Sequence, residues 1–198
     1  MMKKHITACL TAAAVMAAPV AVSGTLTVSA GAQEAPAPGA DQKPDVLGRP
    51  TVSDKQVSDE DGYFDSQRGQ GVKIYYRKQK VANPRGAVVL AHGVSEHSGR
   101  YDYVAKRLLD AGYNVYRVDH RGHGKSAGGS VPMGHIDSFQ YILDDFDHVV
   151  DMAKEENQGV KSFLLGHSMG SLTVEAYGIR EPGKVDGIIT NGGGAPLN

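Results

Sequence analysis

Hydrophobic and polar positions divide the chain into three regimes. Residues 6–22 are almost all small or apolar, residues 33–61 show little apolar periodicity, and from Gly62 onward short apolar runs alternate with stripes at helical spacing. In that last regime Tyr63-Phe64 start a short strand, Gln67–Gly71 make a turn, and Val72–Tyr76 return as a second strand, which predicts an antiparallel hairpin at the edge of a sheet. Asn83-Pro84-Arg85-Gly86 is a further turn, and Ala87–Ala91 is a continuous apolar run of the kind buried on both faces of a sheet. Residues 99–111 carry Tyr101, Val104, Ala105, Leu108 and Leu109 on one helical face and stop at Gly112. Tyr113–Val118 is the next strand. Asp137, with Gln140 three residues on, is positioned as a helix cap. Behind it Phe139, Ile142, Leu143, Phe146, Val149, Val150 and Ala153 form one apolar stripe, with Asp144, Asp145, Asp147 and Asp151 expected on the solvated flanks. Phe163-Leu164-Leu165 is a strand, Leu172, Val174, Ala176, Tyr177 and Ile179 mark a helix, and Val185–Thr190 is a last strand. Strand–helix alternation of this kind predicts an α/β fold, a mostly parallel sheet with helices on both faces.

The first regime is not part of that fold. Lys3 and Lys4 precede the apolar run and Ala30-Gly31-Ala32 matches an A-x-A cleavage site, so residues 1–32 read as a secretory signal peptide. Pro19, Gly24 and several Ser and Thr residues dilute the run as a membrane span. Residues 33–61, rich in Ala, Pro, Gly, Asp and Gln, read as a flexible linker, and residues 62–198 as the folded domain. The product is expected to be secreted or held at the cell envelope. Cys9 is the one cysteine and lies in the signal, so the mature domain relies on its core and not on a disulfide. The formal charge is −1 and becomes more negative without Lys3 and Lys4; no basic stripe offers an electrostatic footprint for nucleic acid.

The chemistry centres on Gly166-His167-Ser168-Met169-Gly170, where an apolar strand runs into Gly-x-Ser-x-Gly and a helix follows at once. This is the nucleophile-elbow pattern, with Ser168 as nucleophile on a tight turn and Gly166 and Gly170 where a side chain would crowd it. A helix N-terminus behind the serine places N–H groups and partial positive charge beside a developing oxyanion. The Met169 amide supplies one donor, and the loop after the preceding apolar strand, His92-Gly93-Val94, supplies the other through Val94. Asp119, His120 and His123, and also His92, Glu96 and His97, lie close in sequence, but neither set has helical H-E-x-x-H spacing or a Cys/His framework, so no metal is expected. No dinucleotide signature is present and no cofactor is expected.

His92–Tyr101 resembles the HG-x-x-EHSGRY segment of monoacylglycerol lipases and bacterial lysophospholipase-like hydrolases, Asp119–Ser126 is similar to their D-x-RGHG-x-S loop, and Gly166–Gly170 to their elbow. Three motifs in the family's order, between residues 86 and 194, identify the chain as a member of this serine aminopeptidase S33-type group. The resemblance covers the N-terminal part of an α/β-hydrolase domain and implies that the cap and last strands are missing. It implies a serine esterase acting on monoacylated lipids, with Ser168 as nucleophile, the Val94 and Met169 amides as oxyanion hole, and His92, Gly93, Glu96, Arg100, Tyr101 and His167 as loop support. The implied partner is a small acyl ester or lipid, with transient contact to a membrane surface; oligomeric state is not readable. The family order places an acid and then a histidine after the serine, yet only Glu175, Glu181 and Asp186 follow Ser168, and all eight histidines precede it. The expectation is therefore a fragment without its acid and base, with little turnover of its own. Two alternatives stay open: another α/β hydrolase, such as a peptidase or thioesterase, and an exported non-catalytic binding domain of the same fold.

Overall fold

The computed structural model describes residues 56–69 and 71–193. The signal peptide, its A-x-A site and most of the linker lie outside the described residues.

Six strands form one sheet in the order β1-β2-β4-β3-β5-β6. β1 (Val57–Asp65) and β2 (Lys73–Val81) are an antiparallel hairpin, and β2 pairs antiparallel with β4 (Tyr113–Val118). β3 (Gly86–Ala91) runs parallel between β4 and β5 (Lys161–His167), and β6 (Gly187–Asn191) runs parallel beside β5. Three helices complete the described fold: α1 (Asp102–Asp110), α2 (Phe139–Glu156) and α3 (Met169–Arg180). Successive residues of β4 face opposite ways, as strand geometry requires. Val115 packs with Ala105 and Leu109 of α1, while Tyr116 and Val118 join Val89, Phe146, Val150, Leu164 and Val174 in the larger core under α2 and α3. Helices thus cover both faces.

The hairpin is longer than the apolar pattern suggests. β1 begins at Val57, inside the stretch assigned to the linker, and β2 continues to Val81. Charge pairing, not apolar alternation, carries the extension: Asp61 lies opposite Arg77 and Glu60 opposite Lys78, with Lys78 Nζ 3.1 Å from Glu60 and Arg77 2.5 Å from Asp59. The helix predicted over 99–111 divides into a short 3₁₀ turn (Ser98–Tyr101) and α1.

Two expectations about α2 are corrected. Its N-cap is Ser138, whose Oγ accepts from the Gln140 amide at 3.2 Å, and not Asp137. Asp137 is instead drawn to Arg121 (3.4 Å) and His135 (2.9 Å). Asp145 is not on a solvated flank. It is buried, accepts from Ser66 Oγ at 2.5 Å and meets the buried Arg121 guanidinium at 3.3 Å. Burial pushes the Asp145 carboxyl above the usual aspartate range, against the opposing pull of Ser66 and Arg121.

Candidate active site

β5 delivers Ser168 to the C-terminal end of the parallel strands, and α3 leaves from it. Ser168 has φ 52° and ψ −118°, a left-handed conformation rare for a side-chain-bearing residue and costing on the order of 1–3 kcal/mol. Neighbouring bonds hold it there. Its N–H donates to Asn191 O at 2.8 Å, and its carbonyl accepts from Ser171 N at 2.8 Å and Leu172 N at 3.3 Å. Ser171 Oγ donates to Gly166 O (2.8 Å) and accepts from Asn191 N (3.1 Å), tying the turn to β6. The Ser168 side chain makes no capping bond to α3. The flanking glycines are demanded by close approach: a Cβ on Gly166 would lie 2.2 Å from Gly170 O, and one on Gly170 would lie 2.0 Å from Ala91 O. Met169 opens α3, so its N–H is among those a helix cannot satisfy internally.

The loop after β3 reaches the same point. A Cβ built on Gly93 would lie 3.2 Å from Ser168 Cβ and 3.2 Å from His167 Nδ1. The Gly93 N–H is already committed, donating to Glu96 Oε2 at 3.0 Å. The same carboxylate oxygen accepts from Tyr101 Oη (2.6 Å) and lies 3.4 Å from His167 Nδ1, so Glu96 joins the loop, the start of α1 and the elbow. The Tyr101 hydrogen bond, more than any other cause, holds the Glu96 carboxyl below its ordinary range.

His92 fixes the next peptide. Its Nε2 accepts from the His120 amide at 2.9 Å, so Nδ1 carries the proton and donates to Gly93 O at 2.7 Å. In a trans peptide the carbonyl and the following N–H point in opposite directions. With Gly93 O turned to the buried imidazole, the Val94 N–H points away from it, and Val94 itself is 55% exposed. Burial pushes the His92 imidazole down to about 4, which keeps it neutral in this role.

The second loop, after β4, braces the first. Asp119 Oδ1 accepts from Ser98 N (2.6 Å) and its Oδ2 from Lys125 N (2.8 Å), while Ser126 Oγ donates to Asp119 O (2.7 Å) and accepts from Tyr75 N (2.8 Å). Arg117, buried in β4, donates to Ser98 O at 3.0 Å. Arg121 donates to Ser66 Oγ (2.6 Å) and Arg68 O, joining this loop to the hairpin turn. Sequence reasoning gave no bracing role to Asp119, Arg117, Arg121, Asp145 or Ser171. Their partners lie up to 79 residues away, and no local spacing announces them.

The titratable residues sort clearly. Asp119 and Glu96, weighed as metal ligands, accept from backbone amides. Among the described residues no group of three or more His, Cys, Asp and Glu is placed to hold a metal ion. His92, His120 and His123 pack as a buried trio with tilted rings, the centroids of His120 and His123 lying 4.4 and 5.4 Å from that of His92. His123 Nδ1 donates to Arg121 O at 2.9 Å, and burial drives the His120 imidazole well below its ordinary range. The carboxylates after Ser168 sit elsewhere. Asp186 accepts from Ser162 N at 2.8 Å, at the opposite end of β5 from Ser168 and thus about 20 Å away. Glu181 follows the last turn of α3 and pairs with Arg180.

Comparison with known proteins places this geometry. Residues 82–195 match the family model described as serine aminopeptidase, S33. A monoacylglycerol lipase of Mycolicibacterium smegmatis is 43% identical over 123 residues, 62% of this chain and 43% of that protein. Among solved structures, a carboxyl esterase of Bacillus coagulans superposes with a TM-score of 0.60 at 26% identity, over 67% of this chain and 44% of the other. The monoacylglycerol lipase of Paleococcus ferrophilus gives 0.50 at 39% identity, over 59% and 42%. The chain spans less than half the length of each of these relatives.

Proposed function

We propose a serine ester hydrolase acting on monoacylated lipids, on this premise: the chain belongs to the serine aminopeptidase S33 family and has an α/β-hydrolase fold. The observation that carries the proposal is Ser168 in a left-handed turn at the head of α3, with the Gly93 backbone against its Cβ. Ser168 Oγ is the nucleophile toward the ester carbonyl, and the N–H groups of Met169 and Val94 receive the oxyanion. His92 and Glu96 support that assignment by committing the Gly93 carbonyl and N–H elsewhere, so that Val94 is the amide presented. Each such donor contributes about 3–4 kcal/mol to transition-state stabilisation. Monoacylglycerol or lysophospholipid is the substrate class, supported by the lipases among the relatives. With residues 1–32 read as an export signal, the ester is met outside the cytosol, at or near a membrane surface.

Ser168 needs a base, and no histidine follows it in this chain. Of the earlier ones near the elbow, His92 uses both ring nitrogens, His120 and His123 are buried, and His167 turns its Nδ1 to Glu96 at 3.4 Å. Turnover by the chain alone is therefore expected to be very low. The test is labelling with a fluorophosphonate ester while imidazole is titrated in as an external base. Labelling should be slow without imidazole, rise with its concentration and vanish in Ser168→Ala. Imidazole-dependent labelling that survives in Ser168→Ala, or a folded sample that never labels, would sink the reading.

A further inference from the structure

Ser168 is held in a conformation that its own side chain does nothing to stabilise: φ is 52°, ψ is −118°, and Oγ makes no capping bond to α3. A residue stays in such a conformation only where its surroundings over-determine it. One tether is the Ser168 N–H, which donates to Asn191 O at 2.8 Å. Asn191 is in turn held by a side chain of α3. Ser171 Oγ accepts from Asn191 N at 3.1 Å and lies 3.0 Å from Asn191 O, so both peptide groups of that residue meet the same hydroxyl. The same oxygen lies 2.8 Å from Gly166 O, two residues before Ser168. A hydroxyl has one proton, which these two carbonyls share. Ser171 is fully buried, so bulk water does not stand in for the hydroxyl when it is removed.

We propose that Ser171 is a positioning residue for Ser168: its hydroxyl fixes the end of β5 to the end of β6 and so holds the backbone from which the nucleophile projects. The inference rests on Ser168 being that nucleophile. One side chain spans the elbow, with Gly166 before the serine, Asn191 beside it and α3 behind it. Without the hydroxyl, Asn191 O still accepts from Ser168 N, but the pair is free to move together and the left-handed turn can relax. A small displacement of a reacting atom is costly to rate, while the groups that bind an acyl ligand are untouched. Another buried hydroxyl on the same helix has no such reach: Tyr177 Oη donates to Asp147 at 2.6 Å, on α2.

Fluorophosphonate labelling of the full chain at fixed imidazole, resolved into a maximal rate and a half-saturating reagent concentration, tests this together with hydrogen exchange at the Ser168 and Asn191 amides. Ser171→Ala should lower the maximal rate roughly tenfold to a hundredfold, leave the half-saturating concentration within about twofold, and speed exchange at both amides. Tyr177→Phe should lower the urea midpoint yet leave labelling and both amides as in the wild type. Labelling that falls as far in Tyr177→Phe as in Ser171→Ala would make the effect one of stability alone and overturn the proposal. Should the alanine variant not fold, Ser171→Cys, with a weaker donor and acceptor at the same place, takes over the test. Its maximal rate should lie below that of the wild type, and an unchanged rate overturns the proposal. A wild type that labels only through Ser168, beside an unaffected Ser171→Ala, removes the positioning role alone. A folded wild type that never labels removes the nucleophile and the positioning role together.

Discussion

Around Ser168 the imidazole of His92 and the carboxylates of Glu96 and Asp119 are each committed to backbone groups of the loops after β3 and β4. Along β6 and α3 the reverse holds: Ile179, Ile188 and Ile189 meet solvent and their edge is unpaired among the described residues. The first region is specified several times over, so one lost group disturbs several elements. The second is, among the described residues, packed on its inner side only, so a single change there disturbs fewer of those contacts.

Substitutions should separate the two regions by size of effect. The largest is expected at the elbow: Gly170→Ala places a methyl 2.0 Å from Ala91 O and should destabilise by at least about 4 kcal/mol, a large share of a domain's total. A urea titration reads this as a lower midpoint at unchanged slope. A smaller break comes from acid. His92 is held near 4 in the fold and lies near 6.5 when unfolded, with His120 shifted the same way. Between those values the unfolded chain binds more protons, so stability is full above about pH 6.5 and falls as pH drops toward 4, by about 3 kcal/mol for His92. Thermal midpoints should therefore already decline between about pH 6.5 and 5, above the range where carboxylates protonate. A flat profile there would remove His92 and His120 from the account. The smallest effect belongs to the exposed face of α3: Ile179→Glu should change stability by no more than about 0.5 kcal/mol in the same titration. A larger loss would mean that α3 leans on a contact of its own chain.

Legibility in the sequence follows the range of the forces involved. β3 and the elbow strand were readable because burial on both faces leaves continuous apolar runs, and the Gly-x-Ser-x-Gly spacing marks the turn locally. The start of β1 was hidden because Asp59, Glu60 and Asp61 are stabilised by Arg77 and Lys78 across the hairpin, a pairing that leaves no period in the chain. Asp145 looked like a solvated aspartate because it stands in a run of aspartates along α2; its partners Ser66 and Arg121 lie 79 and 24 residues away. The motif His92-Gly93-Val94 marks a loop whose Gly93 comes close to Ser168, while how Glu96 and His92 orient its peptides emerges only in three dimensions.

Asp119 bears on how such chains can be recombined. One carboxylate holds Ser98 and Lys125 by their amides, while Arg117 holds the Ser98 carbonyl. Segments 92–101 and 119–126 therefore behave as a single cassette, although a helix and a strand separate them. A chimaera that imports one segment from a distant relative leaves an anchor without its rope. One that imports both, together with the β4 arginine, carries the whole fastening with it.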